Sequence, residues 1–547
     1  MTKINIIALG GLDEKTKGMY ILDIDSKIYI FDAGVYEPLN DEFGIQHYIP
    51  NITYLEQNRD KIKGIFLSSA NILKIGAISQ IVKLVPKIAI FGSQSTIDSL
   101  PIFFGEKTNS WNTKVLSPNQ AINLGNKVKP IPLTGAIPGT FGYSIETPDG
   151  NIVYMVDYIF DTIDEYKNDP ISEHEALTNG RNLVFLSDSL NSGILSSISP
   201  KFRITEKISG IINEPKRILV AIYEDEIINV IETINLAIGA KKQVFFTDKR
   251  LFNLILMLMK RGEILTYSIK MFDGYKKDKA TSSIIIISGT RTNLYQKILV
   301  YIEETNNIKF KIEKTDIFVL AAPPQAGNEH VYANITNNIF RINPELIKFS
   351  VDEKLSIHPS QFDIKNYIKL IKPLYFMPIQ GYYKELIKAK NVALMAGIPS
   401  ENILIIDNGE VLELNNRKNN GVVRKIKDVG STIIEEVTDS GIATEVVENR
   451  MALAKDGLCT IGMIYDPKTL KPISNFDIQM RGVIFVNNQD QLMSRIEELV
   501  LLILERNKSD FKLNKVESQI RKELAKLLRA QIKKVPMIVL KIQPYQI

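Results

Sequence analysis

The chain has 547 residues, 45% hydrophobic and 24% charged, the size and composition of a multi-domain globular protein with several buried cores. No run approaches the roughly 20 apolar residues of a membrane-spanning helix. The apolar stretch at the start is too short for a secretory signal, and the single cysteine, Cys459, excludes an internal disulfide and a cysteine-based metal cluster. A cytoplasmic protein is expected.

The elements alternate between strands and helices. Lys3–Leu9, Met19–Ile24, Lys27–Phe31 and Lys63–Leu67 read as strands, and Gly76–Val85 has helical spacing. Strands are also expected at Ala89–Phe91, Val128–Pro132, Tyr143–Thr147 and Ile152–Val156, the last after a Pro148-Asp-Gly turn. From residue 201 the pattern becomes one of βα units. Strands Arg217–Ile222, Gln243–Phe246, Ser283–Ser288 and Ile317–Ala321 alternate with helices Glu226–Ile238 and Phe252–Arg261, as in an open parallel sheet. Strands Tyr375–Ile379 and Ile403–Ile406 return to the first style, and Glu448–Gly457 reads as a charged connector.

The end of the chain is predicted to hold strands Leu458–Tyr465, Gly482–Val486 and Met537–Ile542 with amphipathic helices Gln489–Asn507 and Asn514–Lys534. The net charge of +5 is concentrated here. Residues 501–547 carry 11 basic and 4 acidic side chains, against 56 and 58 in the rest of the chain. Such a tail attracts nucleic acid or an acidic partner, or is simply a solvated helix face.

Several segments, in order along the chain, resemble ribonuclease J. They include Gly10-Gly-Leu-Asp-Glu14, Phe31-Asp-Ala-Gly34, Gly44-Ile-Gln-His-Tyr-Ile-Pro-Asn51, Leu186-Ser-Asp-Ser-Leu-Asn191, Pro324-Gln-Ala-Gly-Asn-Glu329, Tyr375-Phe-Met-Pro-Ile-Gln-Gly381 and Asn408-Gly-Glu-Val-Leu412. The resemblance implies an α/β protein: a metallo-β-lactamase αββα sandwich in two segments, with an inserted β-CASP domain and a small C-terminal α/β domain. The expected boundaries are 1–200 and 359–438 for the sandwich, 201–358 for the insertion, 439–455 for a linker and 456–547 for the C-terminal domain.

The resemblance further implies two divalent ions held by histidines and carboxylates, which activate water for attack on an RNA phosphodiester. The residues that should hold them have changed. The family's His-x-His-x-Asp-His loop is here Ser69-Ala-Asn71-Ile-Leu73-Lys74, so the ligand positions hold Ser69, Asn71, Leu73 and Lys74. Gly135 and Gln380 stand where two further histidines are expected, and only Asp157 is retained. A hydroxyl, amides and an ammonium do not replace imidazoles around two dications. The whole chain has four histidines, fewer than the implied set. No metal and no other cofactor is expected.

A buried carboxylate without its metal needs a cation, and Lys74 is expected within salt-bridge reach of Asp157; the alternative is that Lys74 extends to solvent. Ser356, His358 and Ser360 match the family's Ser-Gly-His-Gly-Ser-Gln stretch and are candidate contacts to RNA phosphate. Gly289-Thr-Arg-Thr-Asn293 takes the place of a phosphate-cradling loop. His47, His174, His330 and Cys459 match no ligand position and read as structural or surface residues. The resemblance and the lost ligands together suggest a non-catalytic RNA-binding or assembly subunit. It would form a homodimer or a heteromer with an active ribonuclease J paralogue, in the company of other RNA-degradation proteins and away from membranes. Alternatives are a weakly active 5′→3′ exo/endoribonuclease and a scaffold without RNA affinity. The C-terminal domain, too small to bury much surface alone, is expected to dock on a second subunit.

Overall fold

A computed structural model describes residues 2–38, 45, 47–118, 120–166, 180–272, 282–303, 311–434, 444–483 and 489–545. The chain divides into two compact units, Met1–Asn40 with Gln46–Ser440, and Asp41–Ile45 with Gly441–Ile547.

The larger unit contains three main sheets. The first has eight strands, in the order Lys418–Lys425, Glu410–Asn415, Lys3–Gly10, Met19–Ile24, Lys27–Phe31, Ile62–Phe66, Ala89–Gly92 and Asn112–Val115. The second has six, in the order Tyr375–Ile379, Asn182–Asp188, Asn151–Met155, Phe141–Ile145, Lys127–Pro132 and Ile122–Asn123. The two sheets pack face to face over a core that includes Ile6, Tyr20, Phe31, Phe66, Tyr143, Tyr154 and Met377. Helices Ile78–Leu84 and Gln94–Phe104 cover the outer face of the first sheet, and Gln361–Ile371 and Tyr383–Met395 that of the second. This is a four-layer αββα sandwich. Its strands are nearly continuous apolar runs because both faces of each sheet are covered.

The third sheet is wholly parallel, in the order Ile269–Met271, Gln243–Phe246, Ser283–Gly289, Ile218–Tyr223, Ile317–Leu320 and Glu345–Lys348. Its strands Ile218–Tyr223 and Ser283–Gly289 are buried along their whole length, with one hydrophobic cluster on each face. It lies within the stretch where βα units were read, and together the three sheets form the metallo-β-lactamase/β-CASP fold.

In the smaller unit, strands Asp477–Arg481, Leu458–Tyr465 and Met537–Pro544 form a three-stranded sheet. Helices Gln489–Arg506 and Leu513–Ile532 pack on one face through Leu492, Ile496, Val500, Ile520, Leu524 and Leu528. Cys459 is fully buried in that core, and burial raises its thiol to about 11.

Three local expectations are corrected. Glu448–Gly457, expected as a charged connector without an assigned element, is helical: helix Thr444–Asp456 covers all but its last residue, as its Glu, Arg, Met, Ala, Leu and Lys content favours. The strand expected at Gly482–Val486 lies earlier, at Asp477–Arg481, and Gly482 with φ +67° ends it; residues 484–486 fall outside the described residues. Ile403–Ile406 makes a single bridge to Phe376 and no strand, following a short turn of helix at Ser400–Asn402. Its apolar character serves packing, since Leu404 and Ile406 lie in the sandwich core.

Candidate functional site

The site is assembled from strand ends. In the first sheet, Phe31 is followed by Asp32, and Phe66 by the loop that carries Ser69, Asn71 and Lys74. In the second, three adjacent parallel strands end at or just before Asp157, Asp188 and Gln380. The third sheet contributes Asp225, Arg291 and Gln325 from beyond its strand ends. Of these, Asn71, Lys74, Asp157, Gln380, Asp225, Arg291 and Gln325 line a cavity of about 140 Å³, together with Lys15, Ser356 and His358. Carboxyl ends of parallel strands are the usual place for a ligand in an α/β protein.

Asp157 is the hub of the site. Its Oδ1 accepts from Gln380 Nε2 at 2.8 Å, and lies 3.1 Å from Lys74 Nζ and 3.3 Å from His358 Nδ1. The Lys74 ammonium also donates to Gln380 Oε1. The expected Lys74–Asp157 ion pair is therefore present, with both side chains below 10% exposed. Burial alone would raise the Asp157 carboxyl, but Lys74, His358 and Gln380 together hold it well below the usual carboxylate range. Asp157 and Gln380 both have φ +52°, and Asp32 has φ +56°. Left-handed backbone at three non-glycine residues is a cost that the surrounding bonds must offset.

Asp188, fully buried, lies in the family-like segment Leu186–Asn191 and is a site residue that the sequence alone does not mark. It accepts from His358 Nδ1 at 2.8 Å, from the Leu190 amide at 2.9 Å and from the Asp157 amide at 3.0 Å. The sequence shows there only a carboxylate closing an apolar strand. Burial would lower His358, but the charges and hydrogen bonds of Asp188 and Asp157 outweigh it and hold the imidazole at about 9. Two cations, Lys74 and His358, thus face two anions, Asp157 and Asp188. Asp32, also fully buried, accepts from the Ser68 amide and hydroxyl and from the Tyr154 hydroxyl at 2.7–2.8 Å.

The two-metal centre that the resemblance implies would need donors at Ser69, Asn71, Leu73, Lys74, Gly135 and Gln380 beside Asp157. Leu73 offers no donor, and Asn71 uses its side chain to cap the short helix Ile72–Ile75, accepting from the Leu73 amide at 3.0 Å. Ser69 is buried. Gly135 has no room for a ligand side chain: a Cβ there would meet Thr140 Oγ1 at 2.5 Å and the Asp157 carbonyl at 2.9 Å. A dinuclear centre does not fit these residues. Asp157, Asp188 and His358 do present one ligand atom each within 4.8 Å of one another. That trio bonds internally, however, and shares Asp157 Oδ1 with an ammonium.

Of the candidate RNA contacts, Ser356 and His358 line the cavity. Ser360 does not. It is fully buried and caps helix Gln361–Ile371, where its amide and hydroxyl donate to Asp363 at 2.8 and 2.6 Å. In the 289–293 loop, the Thr290 and Thr292 hydroxyls bond each other at 2.6 Å, and the Arg291 guanidinium pairs with Asp225 at 3.0 Å. His47 lies 3.4 Å from Glu37, His330 is exposed on helix Glu329–Ile342, and His174 lies outside the described residues.

The fold and this strand-end pocket define a metallo-β-lactamase/β-CASP protein. Residues 445–544 match the family model described as the ribonuclease J C-terminal domain. The chain is 26% identical over 548 residues to "Ribonuclease J 2" of Staphylococcus aureus strain NCTC 8325, covering 98% of this chain and 97% of that one. It is 27% identical over 558 residues to an uncharacterized protein of Mycoplasma genitalium, at 98% and 96% coverage. Similarity across nearly the whole of both chains, joined to the C-terminal match, supports this chain as a ribonuclease J family member. A crystal structure of a protein of unknown function from Enterococcus faecalis V583 is similar in fold, with a TM-score of 0.50, 13% identity, and coverage of 75% of this chain and 100% of that one.

Proposed function

We propose that this chain is a non-catalytic, RNA-handling subunit of RNA processing and decay that partners an active ribonuclease J paralogue. One observation carries the reading: the Lys74 ammonium lies against Asp157 and Gln380, at positions where the resemblance places metal ligands. The pocket therefore supplies internally the positive charge that metal ions would bring, and no metal-bound hydroxide is available for hydrolysis. Ser356, His358 and Lys15 on the cavity wall remain to receive phosphate. Assembly through the C-terminal unit is part of the same proposal. The sheet face opposite its two helices exposes Ile464 and Val539 at 41% and 40%. Among the described residues no helix is long and apolar enough to cross a membrane, and a cytoplasmic location is part of the proposal.

The test is to purify the chain alone and with a catalytically competent paralogue, then measure metal content after dialysis and turnover of 5′-monophosphorylated RNA. The proposal expects no stoichiometric zinc or manganese and no turnover by the chain alone, with salt-dependent binding of single-stranded RNA. Two ions per chain, or turnover that survives dialysis, would overturn it. The trio Asp157, Asp188 and His358 favours a second reading, a weak single-metal nuclease. One tightly held ion, lost together with activity in Asp188→Asn, would establish that reading instead.

A further inference from the structure

The cavity described above has a mouth that no part of the family resemblance accounts for. Two consecutive tyrosines, Tyr382 and Tyr383, are 40% and 50% exposed. They follow Gln380, whose amide group is inside the cavity, by only two and three residues. Lys15, a lining residue of the cavity, holds its Nζ 5.5 Å from the centre of the Tyr382 ring, and Lys384 holds its own at 5.7 Å. Burial lowers the Lys15 ammonium, Glu385 opposes this, and the positive charges of Arg291 and Lys384 add to the lowering. Two ammonium groups, those of Lys15 and Lys384, thus flank the Tyr382 ring.

The backbone beneath Tyr382 is fixed. Gly381 exchanges hydrogen bonds with Glu14 at 3.0 and 3.1 Å, the Tyr382 amide donates to Glu385 at 2.7 Å, and the Tyr383 amide donates to Asp13 at 2.9 Å. A single exposed tyrosine is ordinary. An exposed ring on a rigid backbone, flanked by ammonium groups at the entrance to a polar cavity, has the two parts of a sequence-tolerant single-strand binder: a stacking surface and cations for the backbone. Little ordering remains to oppose binding.

We propose that Tyr382 is a stacking platform for a base of single-stranded RNA at the cavity entrance, with Lys15 and Lys384 on the flanking phosphates. The proposal rests on the RNA-handling reading above and gives it a specific point of entry. A base stacks on the ring, and Lys384, whose side chain is 70% exposed, swings from the ring face to a phosphate.

The experiment measures anisotropy of a fluorescein-labelled single-stranded oligo(A) with the full chain across a salt series. Tyr382→Ala should weaken binding roughly 5- to 100-fold with an unchanged salt slope, and Tyr382→Phe should retain wild-type affinity. Lys384→Ala should reduce the salt slope by about one. The ring is at the surface, and unchanged thermal melting of each variant separates lost binding from lost folding. If the wild-type chain binds no oligo(A), the RNA-handling reading falls and this inference with it. If the wild type binds and Tyr382→Ala binds equally well, the inference alone is overturned. A change of sedimentation in Tyr382→Ala at unaltered RNA affinity overturns it too, and assigns the rings to a protein contact.

Discussion

Two largely buried carboxylates, one lining the cavity and one beyond a strand of the third sheet, are pushed in opposite directions. Asp157, at the end of a strand of the second sheet, is held well below the usual carboxylate range, whereas Glu224, after a strand of the third sheet, is raised to about 7. Both are buried beside a cation, so burial and a partner do not by themselves decide the sign. The difference lies in what converges on the oxygens. Asp157 has Lys74, His358 and Gln380 on one carboxylate. Glu224 has Arg250 at 2.7 and 2.8 Å, while the negative charges of Asp248 and Glu37 oppose ionisation. Desolvation wins against one cation among anions and loses against two cations and an amide. A pocket able to keep a carboxylate ionised without metal therefore needs several donors aimed at one point.

The largest expected effect comes from removing the main cation of the first pocket. Lys74→Ala leaves Asp157 buried with His358 and Gln380 alone, and breaking a buried pair on one side costs about 3–5 kcal/mol. Urea unfolding should show a loss of that size, and Lys74→Met combined with Asp157→Asn should recover most of it. A loss below about 1 kcal/mol would mean that His358 and Gln380 suffice.

The second expectation is a pH dependence on the Glu224 side. Burial raises the Glu224 carboxyl to about 7, above the ordinary glutamate value of 4.5. A raised carboxyl contributes stability that is fully present below 4.5 and is lost as pH rises through about 7. Glu224→Gln should flatten that part of the stability profile and make the protein more stable than wild type at pH 8, by about 1–3 kcal/mol. The lowered Asp157 gives the opposite slope: its contribution is present above the unfolded value of 3.8 and is lost as pH falls below it. Parallel profiles for Glu224→Gln and wild type between pH 4.5 and 7 would remove the contrast between the two sites.

How much of this was legible in the sequence depends on the kind of signal. The apolar strands Lys27–Phe31, Ile152–Val156 and Tyr375–Ile379 that lead to the site were readable as short apolar runs, whereas Asn182–Asp188 was not among the expected strands, and the Lys74–Asp157 pair followed from requiring a cation beside an orphaned buried carboxylate. Asp188 was not assigned because nothing local marks a strand-end carboxylate as belonging to a site; only the parallel pairing of Asn182–Asp188 with both neighbours brings it beside Asp157. The largely exposed Lys418–Lys425 gives little periodic apolar signal, and in Asp477–Arg481 the alternation of Ile478 and Met480 is too short to mark a strand by itself. Tyr382 carries no local signal either: in sequence it is one tyrosine of 21, and only its exposure beside Lys15 distinguishes it.

The smallest expected effect concerns a third buried carboxylate, which has hydrogen-bond donors in place of the cations found at the other two. Asp363 is fully buried and accepts from the Ser360 amide at 2.8 Å, the Ser360 hydroxyl at 2.6 Å and the Phe160 amide at 2.8 Å. Ser360 was a candidate phosphate contact by resemblance, yet its hydroxyl is occupied in this capping box. Ser360→Ala removes one donor of the set and the cap itself, for about 0.5–2 kcal/mol, well short of the Lys74→Ala loss because two amides still hold the carboxylate. Single-stranded RNA affinity should be unchanged, whereas His358→Ala, which alters a residue lining the cavity, should lower it. A loss of RNA affinity in Ser360→Ala without a loss of stability would return this serine to the phosphate contacts, and donor count would then no longer explain how the chain keeps its buried carboxylates.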